Sequence, residues 1–212
     1  MKTAIWVLNI NNYWPELCEI TLPTLKWYAK KLDADFNLIT ERKYDGFPIT
    51  YEKVQVHELG KEYQWNILLD ADFLIHPLCP DMRNFIPIDT VGASHGYASN
   101  SWLDTDDIYF SRDGRNQGLA TGLIMTSDLT HDLWEPLDMS LEEALTKVKR
   151  KHILDEYCLS RNLAKYGLKY MGIFQQHPSI RETNLIHLGC EEKTDEEKAK
   201  TIQRAKEIVE SW

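Results

Sequence analysis

The stretch Trp65-Asn66-Ile67-Leu68-Leu69-Asp70-Ala71-Asp72 decides the predicted fold. Its first part is a short apolar run of the kind that forms a buried strand, and the run ends directly in two aspartates. Side chains at positions i and i+2 of extended backbone project to the same side. Asp70 and Asp72 are therefore expected to point together from the carboxyl end of this strand, where two like charges are costly without a cation.

The spacing of these two carboxylates suits a divalent metal ion. Carboxylate oxygens are typical ligands of Mg²⁺ and Mn²⁺, and such a site keeps coordination positions for the phosphates of a ligand. In open α/β sheets, ligands bind outside the carboxyl ends of the strands. Two solvated aspartates in a turn are the alternative interpretation, and the apolar strand before Asp70 favours the metal site.

Two strand–helix units precede this strand. The pattern predicts strands over 4–8 and 35–40, a helix that ends near Leu32, and a second helix over 51–63. Pro23 is expected to kink the first helix or to mark its late start. Alternating strands and helices imply right-handed crossovers. We therefore predict an α/β, Rossmann-like domain with a mixed, mainly parallel sheet flanked by helices.

The second half of the chain begins with a long polar segment, residues 95–117, that is typical of a lid or binding loop. After it, the pattern predicts an apolar strand, two helices, two short strands and a final amphipathic helix. These elements are expected at 119–125, 141–149, 152–166, 169–173, 184–188 and 195–212. The length of 212 residues is that of a single domain, 1–212.

The chain is acidic, with 33 Asp and Glu residues against 24 Lys and Arg residues and a formal net charge of −9. This excess argues against nucleic acid as a partner, because a duplex-binding protein needs a basic surface for the phosphates. A bound divalent cation would still allow one phosphate ligand.

The sequence also bears on the compartment. No apolar run approaches the ~20 residues of a transmembrane segment, and the amino end lacks the pattern of a signal peptide. The four cysteines contain no C-x-x-C pair, which indicates reduced thiols and a cytoplasmic location. They are Cys18, Cys79, Cys158 and Cys190.

Further segments accompany the D-x-D sequence Asp70-Ala71-Asp72, and on these the chain resembles the GT-A glycosyltransferases, particularly the glycogenin-like retaining enzymes of glycosyltransferase family 8. In the first half, the similar segments are 20–26 with 34–36, and 51–59 with Tyr63 and 68–72. In the second half, Ala120-Thr121-Gly122 is similar to the family's Asn-Ala-Gly motif, and Asp155-Glu156-Tyr157 to its Asp-Gln element. Ile186-His187-Leu188-Gly189 with Lys193 is similar to its terminal His-x-x-Gly-x-x-Lys motif. Thr121, Glu156 and the spacing of the terminal motif depart from the family pattern.

The resemblance implies a GT-A fold in which residues 1–94 bind a nucleotide-sugar and residues 95–212 form the acceptor side with the C-terminal helix. It implies that Asp70 and Asp72 hold Mn²⁺ (or Mg²⁺) against the donor diphosphate, with His187 as the third protein ligand. A core histidine is the alternative interpretation of His187.

The resemblance also implies a set of residues that contact the nucleotide-sugar, for which a UDP-sugar is favoured. These are Asn9, Asn11, Tyr13, Lys53, Asp70, Ala71, Gly189 and Lys193. The first three lie in the loop expected at the nucleotide base, where polar groups can contact a uracil edge. Lys53 is expected to face the donor, and its alternative interpretation is a lysine on a helix surface. Lys193 is expected to reach the β-phosphate, and its alternative interpretation is a residue of a solvated run of charges.

Asp155 and Glu156 open a predicted helix, a position that favours carboxylates through the helix dipole alone. The resemblance implies that one of them, with Asp155 favoured, lies beside the anomeric carbon or the acceptor hydroxyl. The predicted function is metal-dependent transfer of a sugar from a nucleotide-sugar to a carbohydrate or other hydroxyl acceptor, with retention.

Two other functions stay open on the sequence. A non-catalytic module that binds a nucleotide-sugar or carbohydrate is supported by the departures at Thr121 and Glu156. A phosphatase of the haloacid-dehalogenase type also has D-x-D after an apolar strand. It is disfavoured because two strand–helix units precede Asp70, whereas in those enzymes the pair lies near the chain start.

Overall fold

The central sheet has six strands in the part of the chain that the structure describes. This computed structural model describes residues 2–94, 108–109, 118–178, 180, 184–189 and 194–212. The strands are β1 (Thr3–Leu8), β2 (Asp35–Ile39), β3 (Trp65–Asp70), β4 (Phe73–Ile75), β5 (Thr90–Ala93), β6 (Leu123–Ser127), β7 (Lys169–Gly172) and β8 (Leu185–His187). The order across the central sheet is β2-β1-β3-β6-β5-β7, and β4 pairs with β8 in a separate two-stranded ribbon.

Five of the six strands of the central sheet run in the same direction. Strand β1 is parallel to β2 and β3, and β5 is parallel to β7. Strand β6 is antiparallel to both of its neighbours, β3 and β5. The predicted mixed, mainly parallel sheet is therefore confirmed.

Helices connect these strands and cover the sheet. The α-helices whose bounds lie within the described ranges are α1 (Pro15–Lys31), α2 (Val56–Leu59), α3 (Leu141–Thr146), α4 (Leu154–Lys165), α5 (Ile173–Gln176) and α6 (Asp195–Glu210). Short 3₁₀ helices cover Ile49–Gln55, Met82–Phe85, Asp128–Trp134 and Lys151–Ile153.

The strand expected over 119–125 is β6, Leu123–Ser127, and the helix expected over 141–149 is α3, Leu141–Thr146. The first two predicted helices differ further from those observed. Helix α1 begins at Pro15 and continues past Pro23, so the late start expected at Pro23 is wrong. The carbonyl that loses its partner there belongs to Glu19, which is exposed, so that water can replace the missing bond. The helix predicted over 51–63 is a 3₁₀ helix followed by the single α-helical turn of α2.

Apolar side chains cover both faces of the sheet. Alternate residues of β1 point to opposite faces: Ile5 and Val7 pack with Leu25 of α1 in one cluster, whereas Trp6 packs with Leu159 of α4 in another. The sheet therefore lies between helices that pack on its two faces.

The C-terminal helix α6 packs against α1 and the β4–β8 ribbon. Ala205 is fully buried in a cluster with Leu17, Leu74 and Leu188, so the helix docks on the chain's own core. The side chain of Thr194 and that of Glu197 cap its first turn reciprocally. Of the helices in the described ranges, none combines the length and the apolar character that crossing a bilayer requires.

Candidate metal and nucleotide site

Asp70 and Asp72 lie at the carboxyl edge of the sheet. Asp70 is the last residue of β3, and its backbone N–H donates to the carbonyl oxygen of Gly122 at 2.8 Å. Asp72 lies in the turn between β3 and β4 and is only 4% exposed. The carbonyl oxygen of Ala71, between them, accepts a 2.6 Å hydrogen bond from the Thr21 hydroxyl of α1, which holds this turn in place.

His187 reaches these aspartates because β8 pairs antiparallel with β4. Phe73 and His187 are direct partners in that pairing, and their rings stack at 4.5 Å between centroids with a 14° angle. The imidazole Nε2 lies 3.1 Å from Asp72 Oδ2. Ligand atoms of Asp70, Asp72 and His187 all lie within 4.8 Å of one another, which among the described residues is true of no other group of three or more His, Cys, Asp or Glu.

The donor set fits a divalent metal ion. Two carboxylates and one imidazole suit Mn²⁺, and the oxygen ligands also suit Mg²⁺. Burial and the charge of Asp72 raise the pKa of Asp70, although Lys53 opposes this shift. Burial lowers the pKa of His187, but the hydrogen bond and charge of Asp72 more than offset this and hold it above its ordinary value. The charge of Asp72 contributes to both shifts, and a cation would relieve this local negative charge.

Lys53 is buried beside this group. Its Nζ lies 2.8 Å from Asp70 Oδ1 and 3.2 Å from Asp155 Oδ2. The residue is 4% exposed, so the alternative of a surface helix lysine is wrong. Burial alone would lower the pKa of Lys53, but the two carboxylates raise it well above its usual value. The ammonium is therefore charged at neutral pH and offsets part of the negative charge of the site.

Asp155 and Glu156 form the first turn of α4 and differ in environment. Asp155 is 2% exposed and bonds inward, to Lys53 and to the hydroxyl of Thr121. Glu156 is partly exposed. Burial, reinforced by the charge of Asp155, raises the pKa of Glu156 to about 8. Because Glu156 is partly exposed whereas Asp155 is 2% exposed, Glu156 is the carboxyl of the pair that a ligand can reach more easily.

The loop after β1 leaves the sheet at the same edge. Leu8 is the direct neighbour of Asp70 across the sheet, and Asn9 follows it, its N–H bonded to the Ile39 carbonyl at 2.9 Å. Within the ranges the structure describes, Asn9 Oδ1 is buried and has no hydrogen-bond partner. Asn11 has a positive φ of 57°, a backbone conformation that asparagine tolerates better than most residues.

Three other residues are predicted to contact the nucleotide-sugar: Tyr13, Gly189 and Lys193. Tyr13 is 39% exposed, in the loop that carries Asn9 and Asn11. Gly189 follows β8 and has a φ of 65°, which favours glycine. Lys193 lies outside the described residues, and so does the polar segment 95–117 except for 108–109.

Two residues that touch the site were not predicted as site residues, Thr121 and Gly122. A Cβ on Gly122 would lie 3.3 Å from Asp70 Oδ2 and 3.3 Å from the Phe73 ring, so glycine allows β6 to approach the first aspartate closely. The segment Ala120-Thr121-Gly122 is similar to a family motif, which marks its position in the sequence, but the motif does not predict these contacts.

Comparison with solved structures supports the architecture. The galactosyltransferase LgtC, in complex with donor and acceptor sugar analogues, superimposes with a TM-score of 0.60 at 12% identity over 98% of this chain and 95% of that one. A glycosyltransferase involved in glycosylation of the major capsid of PBCV-1 gives 0.57 at 10% identity, over 96% and 99%. The bifunctional glycosyltransferase WbbM gives 0.55 at 11% identity, over 99% of this chain and 51% of that one.

At the level of sequence, no protein family and no curated protein matches the chain. The similarity therefore lies in the arrangement of the strands and helices, over nearly the full length of two of these proteins. The chain has the single-domain GT-A fold of glycosyltransferases, as the sequence predicts.

Proposed function

We propose that the protein is a metal-dependent glycosyltransferase that moves a sugar from a nucleotide-sugar to a carbohydrate or other hydroxyl acceptor. The observation that carries this proposal is the group Asp70, Asp72 and His187 at the carboxyl edge of the sheet. Three solved proteins of similar fold, those described above, are glycosyltransferases, and one of them was determined with donor and acceptor sugar analogues.

In this proposal the nucleotide lies along the sheet edge beside the metal ligands. The loop that carries Asn9, Asn11 and Tyr13 starts one strand away from Asp70, because Leu8 is paired with Asp70. The buried Oδ1 of Asn9 can accept a hydrogen bond from a base that presents a donor, as the uracil of a UDP-sugar does. This atom is the support for a UDP-sugar as the favoured donor.

Asp70, Asp72 and His187 would hold the Mn²⁺ or Mg²⁺. Such an ion supplies positive charge that neutralises the nucleoside diphosphate as it leaves. Lys53 contributes a second, permanent positive charge at this place, since its ammonium is buried between Asp70 and Asp155. We expect Ala71, Gly189 and Lys193 to complete the surface around the phosphates.

The acceptor side is formed by the start of α4. Glu156 is the more accessible of its two carboxyls. We therefore propose Glu156, in place of the Asp155 favoured on the sequence, as the group that contacts the acceptor hydroxyl or the anomeric carbon, while Asp155 holds Lys53. We propose transfer with retention of the anomeric configuration, for which the resemblance to family 8 is the support. The cytoplasmic location expected from the sequence stays a prediction, as does the division of the chain into halves at residue 94.

The experiment that tests this function is a screen of nucleotide-sugars. The native chain is incubated with UDP-, GDP-, ADP- and CMP-linked sugars and Mn²⁺, with and without simple sugar acceptors, and release of the nucleotide is followed. We expect release from one donor class, strongest with UDP. The double variant Asp70→Asn with Asp72→Asn should lose it, and the exposed control Asp132→Asn should keep it.

Other outcomes of the screen identify the other functions. Metal-dependent binding of a donor without any release or transfer would contradict the transferase and support the binding module. Release of phosphate from simple phosphate esters, with no need for a nucleotide, would support the phosphatase.

A further inference from the structure

Thr121 contacts two charged side chains of the site, Asp155 and Lys53. Its hydroxyl donates to Asp155 Oδ2 at 2.7 Å and accepts from the Lys53 ammonium at 3.3 Å. Its carbonyl oxygen accepts from the same ammonium at 3.3 Å. Thr121 is 3% exposed, so these hydrogen bonds form away from water.

Thr121 also lies next to the residue that supports the metal ligands. The following residue, Gly122, accepts the backbone N–H of Asp70 at 2.8 Å. The two consecutive residues therefore connect Asp70 at the end of β3 with the first turn of α4. Lys53 also joins these two parts of the site, because its ammonium contacts both Asp70 and Asp155.

The hydroxyl is the group that makes this arrangement specific. A hydroxyl can donate one hydrogen bond and accept others, so it joins a carboxylate to an ammonium. Valine, which has the same shape, can do neither. Without the hydroxyl, Asp155 Oδ2 would lose its shortest hydrogen bond. The ion pair with Lys53 would remain, but an ammonium acts as a point charge and defines the orientation of the Asp155 side chain less closely. Satisfied buried networks of this kind hold their side chains in one arrangement.

We propose that Thr121 is a positioning residue, whose hydroxyl keeps Asp155 turned inward against Lys53. It thereby sets where Lys53 stands relative to Asp70 and where Glu156 stands at the acceptor side. The kinetic consequence of this inference rests on the proposed function. The predicted orientation of the Asp155 side chain does not depend on the proposed function.

Two variants separate the hydroxyl from the methyl group. Thr121→Val keeps the shape and removes the hydroxyl, whereas Thr121→Ser keeps the hydroxyl and removes the methyl. We expect Thr121→Val to lower the turnover number about 10–100-fold, as loss of a supporting hydrogen bond typically does, and Thr121→Ser to stay within about threefold of the native chain. The Michaelis constant for the donor should change much less than the turnover number, because Thr121 is not expected to touch the donor.

Crystal structures of the variants provide a measurement that needs no activity. Asp155 Oδ2 should remain bonded to the hydroxyl and to Lys53 in the Thr121→Ser protein and should turn away in the Thr121→Val protein. Thermal unfolding of each variant shows that it is folded, and Thr121→Ala replaces Thr121→Val as the hydroxyl-free variant if the latter does not fold.

The outcomes distinguish this inference from the proposed function. If the native chain releases no nucleotide from any donor, the proposed function fails, and the crystal structures still decide where Asp155 points. An unmoved Asp155 in the hydroxyl-free variant overturns the inference. So does a native turnover number in that variant, or a Thr121→Ser protein as impaired as Thr121→Val.

Discussion

Lys53 Nζ lies 2.8 Å from Asp70 Oδ1, so a buried ion pair joins the 3₁₀ helix Ile49–Gln55 to the first aspartate of the candidate metal site. The same ammonium lies 3.2 Å from Asp155 Oδ2. One lysine thus serves the metal side and the acceptor side together. Its removal would leave two carboxylates without their shared counter-charge, which makes Lys53 sensitive to substitution in both stability and activity.

Replacing Lys53 by methionine should destabilise the protein more than replacing an exposed lysine. Breaking a buried ion pair by removing one partner costs about 3–5 kcal/mol, because the other charge stays buried. The exposed pair of Lys61 with Glu58 is the matched control, and Lys61→Met should change the free energy of unfolding by less than about 1 kcal/mol. Urea denaturation gives the free energy of unfolding of Lys53→Met and of Lys61→Met. An equal loss of stability in the two variants would contradict the burial of the Lys53 charge.

Replacing His187 by asparagine should weaken Mn²⁺ binding. Changing even a residue that only supports a metal ligand costs about 10–100-fold in affinity, so loss of a ligand should cost at least about tenfold. The exposed His152 provides the control His152→Asn, which should bind Mn²⁺ like the native chain. Calorimetric titration with Mn²⁺ gives the dissociation constants, and unchanged affinity in His187→Asn would show that the imidazole is not a ligand.

The affinity for Mn²⁺ should also fall with decreasing pH. Only the neutral imidazole binds a metal, and the pKa of His187 is held above its ordinary value of 6.5 by Asp72, against the effect of burial. Protonation of the metal-free site therefore begins above pH 6.5 and competes with the metal as the pH falls. In His187→Asn this part of the pH dependence should be absent, and identical pH profiles in the two proteins would contradict it.

Glu156 should make the protein less stable as the pH rises. Its pKa is raised from 4.5 to about 8, chiefly by burial, so the folded chain binds a proton that the unfolded chain has lost in this interval. Stability contributed by the protonated group is present below pH 4.5 and is lost as the pH rises to about 8, at up to about 1.4 kcal/mol per pH unit.

The variant Glu156→Gln removes this titration. Its free energy of unfolding should exceed that of the native chain by an amount that grows between pH 5 and pH 8. The exposed control Glu142→Gln should follow the native curve. Urea denaturation at several pH values gives the three curves, and a constant difference between Glu156→Gln and the native chain would refute the raised pKa.

Asn9 should contribute to nucleotide binding without contributing to metal binding. Its Oδ1 is buried and has no partner in the described ranges, and loss of one hydrogen bond to a base would lower the affinity for UDP about fivefold. Calorimetry with UDP and with Mn²⁺ alone separates the two effects in Asn9→Ala. The exposed Asn84→Ala is the control, and a native affinity for UDP in Asn9→Ala would place the base elsewhere.

The sequence predicts the part of the fold that depends on local patterns. The apolar run before Asp70 identifies β3, and the period of two along the strand predicts that Asp70 and Asp72 point together. The sequence analysis does not predict strands β4 and β5, with three and four residues, although it predicts β7 and β8, which are as short. The periodicity of so short a segment does not decide whether it forms a strand. The 3₁₀ helix that carries Lys53 was predicted as an α-helix, since both place apolar side chains every three or four residues.

The contacts within the site depend on tertiary structure and could be predicted only in part. His187 was expected at the metal through the resemblance, and the pairing of β8 with β4 brings it there. The bonds of Thr121 to Lys53 and Asp155 join residues 68 and 34 positions apart in the chain, and no local pattern specifies them. Burial of Lys53 between two carboxylates likewise follows from packing and not from its own helix.

The claim that Asp70 and Asp72 hold a cation against the donor diphosphate is tested most directly by the heat of UDP binding with and without Mn²⁺. The native chain should bind UDP at least about tenfold more tightly with Mn²⁺ present, a coupling typical of linked sites. The double variant Asp70→Asn with Asp72→Asn should lose this difference. Equal affinity of the native chain for UDP with and without Mn²⁺, or metal-dependent binding that survives in the double variant, would contradict the account.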